Sequence, residues 1–222
     1  MEDALACILQ LEPPLKLLGE KSIPSSGPCL IVFNHYSRPG FHTWWIALAV
    51  ASQLPMDAHF VITNELTFPG KWYAPVGRTL SRWVLKRIAR TYGFTSMPPM
   101  PPRDKDVAAR ARSVRAVLSF VDLVENPVIC LAPEGGDMPG GRLAYPPAGA
   151  GRLMLQLASK VLEFVPVGVW EQDGYLYVNF GPKFELLIPS GMASNEKDRL
   201  VATTVMRKIA LLLPAYLRGE FQ

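Results

Sequence analysis

The chain has 222 residues, of which 49% are hydrophobic and 19% are charged, with a net charge of +4. This apolar content is enough to form a buried core and excludes a disordered chain. Three cysteines with no metal-ligand spacing argue against a disulfide scaffold or a structural zinc site. The N-terminus lacks a signal-peptide pattern, and the longest apolar run, Thr43 to Leu54, is too short to span a bilayer. We therefore expect a cytoplasmic protein whose contact with membranes is peripheral.

In chain order, four short apolar runs are typical of buried strands. These runs are Cys29–Phe33, His59–Thr63, Pro127–Leu131 and Phe164–Val169. A fifth run, Tyr175–Phe180, follows a Gln-Asp-Gly turn, which predicts a hairpin with the fourth. Helical patterns separate or follow the strands at Phe41–Leu54, Ala74–Tyr92, Lys105–Val124, Gly149–Val161 and Asn195–Leu213.

This alternation predicts one α/β domain with a mixed, mainly parallel sheet flanked by helices. We expect a single domain over residues 1–222. Its predicted parts are an N-terminal helical segment at 1–27, a core at 28–188 and a C-terminal helix at 189–222.

Polar residues follow two of the predicted strands, and sites in parallel sheets form at the carboxyl ends of strands. His35 follows the first strand, and Glu134 follows the third together with Gly135 and Gly136. Histidine is the usual general base near neutral pH, and glycines let backbone amides approach a ligand oxygen closely. Either segment alone is compatible with a packing or capping role. Together they predict an active site with His35 and Glu134 as catalytic residues.

The order of these segments resembles the glycerolphosphate and lysophosphatidate acyltransferases. The resemblance runs from about Leu30 to Phe184, and its four blocks are Asn34 to Ser37, Phe60 to Leu66, Leu131 to Gly135 and Val165 to Val169. It implies transfer of a fatty acyl group from a thioester to a hydroxyl of a lysophospholipid, glycerol phosphate or related lipid acceptor. It also implies that the histidine is the general base and that the glutamate positions the acceptor. No metal and no bound cofactor are expected, because acyl-CoA or acyl-carrier protein is the co-substrate.

The chain departs from the family pattern at three supporting positions. Gly40 stands where the family has an Asp that orients the histidine, and Gly136 and Asp137 stand where it has a Thr and an Arg. The arginine that usually follows the second block is also missing. We expect His42 or Asp137 to support His35.

The loss of the family's arginine also affects the acceptor site. We expect Arg142 or Arg152 to take over phosphate binding, with the amides of Gly135 and Gly136 approaching acceptor oxygens. Three alternatives stay open: a different acceptor that needs less phosphate binding, a non-catalytic lipid-binding relative that lost the Asp, and a hydrolase of acyl thioesters. The retained His35 and Glu134 favour an enzyme.

Residues 66–103 contain seven basic side chains and no acidic one. Four of them form a row on one side of a predicted helix, and we call this row, Arg78, Arg82, Lys86 and Arg90, the basic row. A basic amphipathic helix with interleaved Trp and Tyr is typical of a membrane-surface element. We expect it to bind an anionic membrane surface or an acyl carrier, acyl-carrier protein included, although a solvated helix face is the alternative. No nucleic-acid partner is expected, since no nucleic-acid-binding motif accompanies the charges.

Overall fold

The computed structural model describes residues 13–68, 70–100, 103–137, 139–161 and 163–222. Within these ranges the strands are β1 (Leu15–Leu18), β2 (Cys29–Phe33), β3 (His59–Thr63), β4 (Thr95–Met97), β5 (Val128–Leu131), β6 (Glu163–Gln172) and β7 (Tyr175–Phe180). The α-helices in the same ranges are α1 (Trp44–Gln53), α2 (Ala74–Tyr92), α3 (Val107–Leu123), α4 (Ala150–Ala158) and α5 (Ser194–Ala210).

The seven strands form one sheet in the order β1-β7-β6-β2-β5-β3-β4. All neighbouring pairs are parallel except β6 and β7, which form the antiparallel hairpin that the turn residues predict. Asp173 and Gly174 both have positive φ angles at this turn, as a tight two-residue hairpin requires. The predicted single-domain α/β fold, with a mixed sheet flanked by helices, is confirmed.

The centre of the sheet is the core of the molecule. Every residue of β2 is buried, and Leu30 lies between Ile129 of β5 and Phe164 of β6 in the register of the sheet. A strand with helices on both sides must be apolar along its whole length, which is why β2 reads as a continuous hydrophobic run. α5 adds Val205, Met206, Ile209 and other buried side chains to the same core.

The prediction of a helical segment at 1–27 is wrong where the structure describes it. Residues 15–18 form the edge strand β1, which pairs with β7, and Glu20–Ser22 is a single 3₁₀ turn. Residues 1–12 lie outside the described part of the chain. The strand was missed because its side chains alternate between half-buried and exposed, so it lacks the apolar run of a central strand. The edge strand β4 was missed because it has only three residues, Thr-Ser-Met, and therefore no apolar run.

Candidate active site

The site is built where the central strands β2 and β5 end side by side. They pair in parallel, with Val32 opposite Leu131, so the loops that follow them leave the same edge of the sheet. His35 is two residues beyond the end of β2, and Glu134 is three residues beyond the end of β5. The topology therefore brings together the two segments that the sequence singles out.

Asn34 fixes the first of these loops to the neighbouring strand β6. Its buried side-chain amide donates from Nδ2 to the Val169 carbonyl (2.8 Å), and its Oδ1 accepts from the Val169 amide (2.7 Å). These two hydrogen bonds hold the backbone just before His35. A polar residue directly after an apolar strand is the sequence signal that could have marked Asn34 as a positioning residue.

Glu134 connects the two loops through its carboxylate. The side chain is 3% exposed, its Oε2 accepts from the His35 backbone amide (2.7 Å) and its Oε1 accepts from the Ala144 amide (2.9 Å). Burial raises the pKa of Glu134, and the two backbone amides oppose that rise. Both carboxylate oxygens therefore accept hydrogen bonds from backbone amides. This geometry favours Glu134 as a positioning residue for His35 rather than a group that touches the acceptor.

Asp137 supplies the carboxylate nearest to the His35 ring. Its Oδ1 lies 2.9 Å from His35 Nδ1 and accepts a hydrogen bond from Thr43 Oγ1 (2.9 Å). The oxygen lies off the direction of an Nδ1 proton, so the two groups are in contact without a linear hydrogen bond. His35 is the largest cause of the lowered pKa of Asp137, and Thr43 adds to the effect, so Asp137 is ionised at neutral pH.

Gly40, which stands where the family has an Asp, is part of a tight turn in this chain. Gly40 has φ 81°, and the turn around it closes through a hydrogen bond from the Phe41 amide to the Arg38 carbonyl (3.0 Å). A residue with a Cβ rarely adopts this left-handed conformation. The carboxylate partner of His35 comes from the β5 loop instead.

His42, the other residue predicted to support His35, packs against tryptophans. Its exposed ring meets the Trp45 ring edge-on at 5.0 Å between centroids and lies 5.9 Å from that of Trp44. Among the described residues, no hydrogen bond or ion pair joins His42 to His35. Asp137, and not His42, takes the place beside the imidazole.

Tyr36 and Gly141 form a second connection between the two loops. Gly141 has φ 67°, and a Cβ at this position would lie 2.6 Å from the Tyr36 ring. Tyr36 is buried and meets the Phe41 ring edge-on. The β5 loop can approach the β2 loop this closely only because residue 141 has no side chain.

The glycines expected to present amides to the acceptor are partly engaged. The Gly135 amide donates to the Ala132 carbonyl (3.2 Å), so its predicted role in binding acceptor oxygens is not supported. The Gly136 amide makes no hydrogen bond to any described residue. The Met100 side chain lies beside both glycines, since a Cβ would lie 3.0 Å from it at Gly135 and 3.9 Å at Gly136.

The two arginines expected to bind phosphate differ in position. Arg142 is exposed and is not part of the cavity wall, whereas Arg152 at the start of α4 lines the cavity. The amides of Gly149 and Arg152 at this helix N-terminus donate to the Asp198 carboxylate at 2.8 and 2.7 Å. This N-terminus is therefore already capped by a carboxylate of the protein.

An open cavity of about 2520 Å³ extends from His35 and Asp137 to α2. Its volume exceeds that of ordinary small-molecule pockets, which are roughly 300–1,000 Å³. Apolar side chains from several elements form most of its wall, among them Phe60, Leu80, Val84, Val114, Leu118 and Leu153. A long hydrocarbon chain fits these dimensions and this chemistry.

Comparison with known proteins identifies the family of this chain. The family model described as "Acyltransferase" matches residues 15–170, which include both loops of the site. The chain belongs to the acyltransferase family. This is the glycerolphosphate and lysophosphatidate acyltransferase family that the four blocks resemble, and its chemistry is acyl transfer to lipid acceptors. No curated protein matches the chain.

In this member of the family the basic row is only partly free. Arg82 pairs through Nε with Glu65 Oε2 (2.7 Å), and Arg78 Nε donates to the Thr67 carbonyl (3.0 Å). Lys86 and Arg90 are exposed, and neither makes an ion pair with a described residue. Arg82 is 55% exposed but already paired, so its binding to a membrane or a carrier stays a prediction. Its counter-charge precedes the basic stretch by one residue in the sequence.

Glu65 was not singled out by the sequence, yet it joins three segments at the cavity wall. It is buried just after β3, and its second oxygen, Oε1, accepts from Arg103 Nη1 at 3.1 Å. Arg103 also pairs with Asp106. Burial alone would raise the pKa of Glu65, but Arg82 and Arg103 outweigh it and lower that pKa. The cluster attaches α2 and the segment before α3 to the end of β3.

Proposed function

We propose that this protein transfers a fatty acyl group from an acyl thioester to the hydroxyl of a lipid acceptor, with His35 as general base. The observation that carries this proposal is the 2.9 Å contact between His35 Nδ1 and Asp137 Oδ1. An ionised carboxylate at Nδ1 stabilises the imidazolium and leaves Nε2 for the acceptor. Asp137 thus supplies what the family obtains from an Asp at position 40.

The reaction follows from this arrangement. Nε2 of His35 takes the proton of the acceptor hydroxyl as its oxygen attacks the thioester carbonyl carbon. The tetrahedral adduct then collapses, the carbon–sulfur bond breaks, and the thiolate takes the proton from the imidazolium. The products are an ester and a free thiol. These steps need no metal, and the donor, acyl-CoA or acyl-carrier protein, acts as a co-substrate.

We also propose that α2 docks on an anionic membrane surface. In the part of the chain that the structure describes, this helix buries only Ala74, Ser81 and Ala89. Large apolar side chains on and before it face solvent: Trp72 is 92% exposed, Val76 73% and Trp83 63%. Exposed tryptophans beside free cations favour a lipid surface over a purely polar carrier. None of the described helices is long and apolar enough to cross a membrane.

The test is transfer by purified protein in mixed micelles. The assay combines acyl-CoA or acyl-carrier protein with a panel of lipid alcohols and compares the wild type with His35→Ala. We expect ester formation that requires an acceptor and falls to background in the variant. Fatty acid release without an acceptor would instead identify a thioester hydrolase. Lipid binding without either product would identify a non-catalytic lipid-binding protein.

A further inference from the structure

The charge next to His35 is negative. The carboxylates of Asp137 and Glu134 approach the ring and the backbone of His35, and Thr43 adds an uncharged hydroxyl. Asp137 occupies the position where the family resemblance places a phosphate-binding arginine. His35 and Thr43 lower the pKa of Asp137, and no described arginine or lysine contributes to that shift.

Neither arginine of the neighbouring loops makes a hydrogen bond or ion pair with a described atom of His35 or Asp137. Arg38 is held by Glu171, with Nη2 donating to Oε1 at 2.7 Å and Nε paired with Oε2. Arg142 lies outside the cavity wall. The N-terminus of α4, a common anion site, is already occupied by the Asp198 carboxylate.

The cations of the cavity wall are engaged elsewhere or exposed. In the described ranges they are Lys71, Arg103, Arg110, Arg115 and Arg152. Arg103 is held by Glu65 and Asp106, and Arg110 Nη2 donates to the carbonyls of Pro98 (3.2 Å) and Pro99 (3.1 Å). The other three are exposed to solvent, and none of the five makes a hydrogen bond or ion pair with a described atom of His35, Glu134 or Asp137.

We infer, on the basis of the function proposed above, that the acceptor is an uncharged lipid alcohol such as a monoacylglycerol, and not a phosphate-bearing lipid. A phosphate monoester carries roughly −1.5 to −2 charges at neutral pH. Beside the His35 ring it would meet the carboxylate of Asp137, with which no described lysine or arginine pairs. An uncharged glycerol hydroxyl is not repelled by this carboxylate, and the Met100 side chain beside Gly135 and Gly136 adds an apolar contact.

Two acceptors that differ only in the phosphate test this inference. Monooleoylglycerol and oleoyl lysophosphatidate are compared in neutral detergent micelles with the same acyl donor. We expect a kcat/KM at least tenfold higher for monooleoylglycerol. Equal or higher efficiency with lysophosphatidate would overturn the inference and leave the proposed acyl transfer intact.

A binding measurement tests the uncharged acceptor separately from the proposed acyl transfer. It applies even if neither acceptor is converted to product. The chain has three histidines, so the NMR signals of the His35 ring can be assigned by their loss in His35→Ala. We expect these signals to shift with monooleoylglycerol at concentrations at least tenfold lower than with lysophosphatidate. The opposite order, or no shift with either lipid, would contradict an uncharged acceptor at this site.

A charge introduced at Gly136 gives a matched pair of variants. Gly136 does not have a positive φ, and a Cβ there would meet only Met100, at an ordinary 3.9 Å. We expect Gly136→Arg to raise the ratio of lysophosphatidate to monooleoylglycerol turnover at least tenfold, and Gly136→Gln to leave the ratio unchanged. An equal change in both variants would show that a missing cation is not what excludes phosphate.

Discussion

His35 Nδ1 lies 2.9 Å from Asp137 Oδ1, although the two residues follow different strands. In the family motif the histidine and its carboxylate belong to the same loop, and the carboxylate would be at position 40. This chain has a glycine in a left-handed turn at that position. The neighbouring β5 loop supplies the carboxylate instead. A histidine–carboxylate pair is thus present in space although the sequence motif is lost.

Asp137→Asn tests this relationship directly. An asparagine keeps the size of the side chain but cannot stabilise an imidazolium, so we expect kcat to fall by about 10²- to 10⁴-fold, in the range known for other histidine–carboxylate pairs. The measurement is steady-state acyl transfer at neutral pH. Asp173→Asn, in the β6–β7 turn, is the matched control and should keep wild-type activity. Full activity in Asp137→Asn would contradict the assignment of this pair.

Gly141→Ala tests the close approach of the two loops. A Cβ at Gly141 would lie 2.6 Å from the Tyr36 ring, and overpacking of this kind costs about 1–3 kcal/mol. Gly140→Ala is the control, since Gly140 has almost the same φ (68° against 67°) but no neighbour within 4 Å. We expect urea denaturation to give a clearly lower free energy of unfolding for Gly141→Ala than for Gly140→Ala. Equal losses would mean that backbone conformation alone matters at both positions.

Glu134→Gln tests the carboxylate that receives two backbone amides. A glutamine has one acceptor oxygen, so its NH₂ group would face one of the amides of His35 and Ala144. A buried donor left without an acceptor costs about 1–3 kcal/mol. We expect that loss in the free energy of unfolding, with a fall in kcat as His35 shifts. Glu220→Gln, at an exposed position, should change neither quantity.

The Glu65 cluster predicts a dependence of stability on acid. Because the folded pKa of Glu65 is lowered, the unfolded chain takes up the proton first as the pH falls. The stabilisation from Glu65 is therefore complete above the unfolded pKa, near 4.5, and is lost as the pH falls through the lower folded pKa. We expect Glu65→Gln to reduce the slope of unfolding free energy against pH below about pH 4.5. Glu125→Gln, which is exposed, should keep the wild-type slope.

Lys86→Gln/Arg90→Gln tests membrane docking without disturbing the Glu65 cluster. Each cation near an anionic bilayer contributes about 1 kcal/mol, so the double variant should bind vesicles that contain phosphatidylglycerol about 30-fold more weakly. Co-sedimentation with vesicles measures this loss. Lys197→Gln/Arg199→Gln on α5 removes the same charge elsewhere and should bind like the wild type. An equal loss in both double variants would indicate non-specific attraction.

The sequence by itself determined those strands and helices that the residue pattern of their own segment predicts. Central strands such as β2 are buried on both sides and read as continuous apolar runs, and α2 has the bounds that its pattern predicts. The edge strands β1 and β4 escaped prediction because β1 is only partly covered and β4 has only three residues, so neither carries such a run. His35 and Glu134 could be selected from sequence because each follows a strong strand signal.

Only the tertiary structure decided which groups meet. Asp137 and His42 were both candidates to support His35, and the register of β2 and β5 brings the loop of Asp137 to the ring while His42 packs on Trp45. The counter-charge of Arg82 was likewise invisible, because Glu65 reaches it through the packing of α2 against the end of β3. Contacts between residues distant in sequence depend on strand order and helix placement. A local pattern of residue types does not by itself determine either.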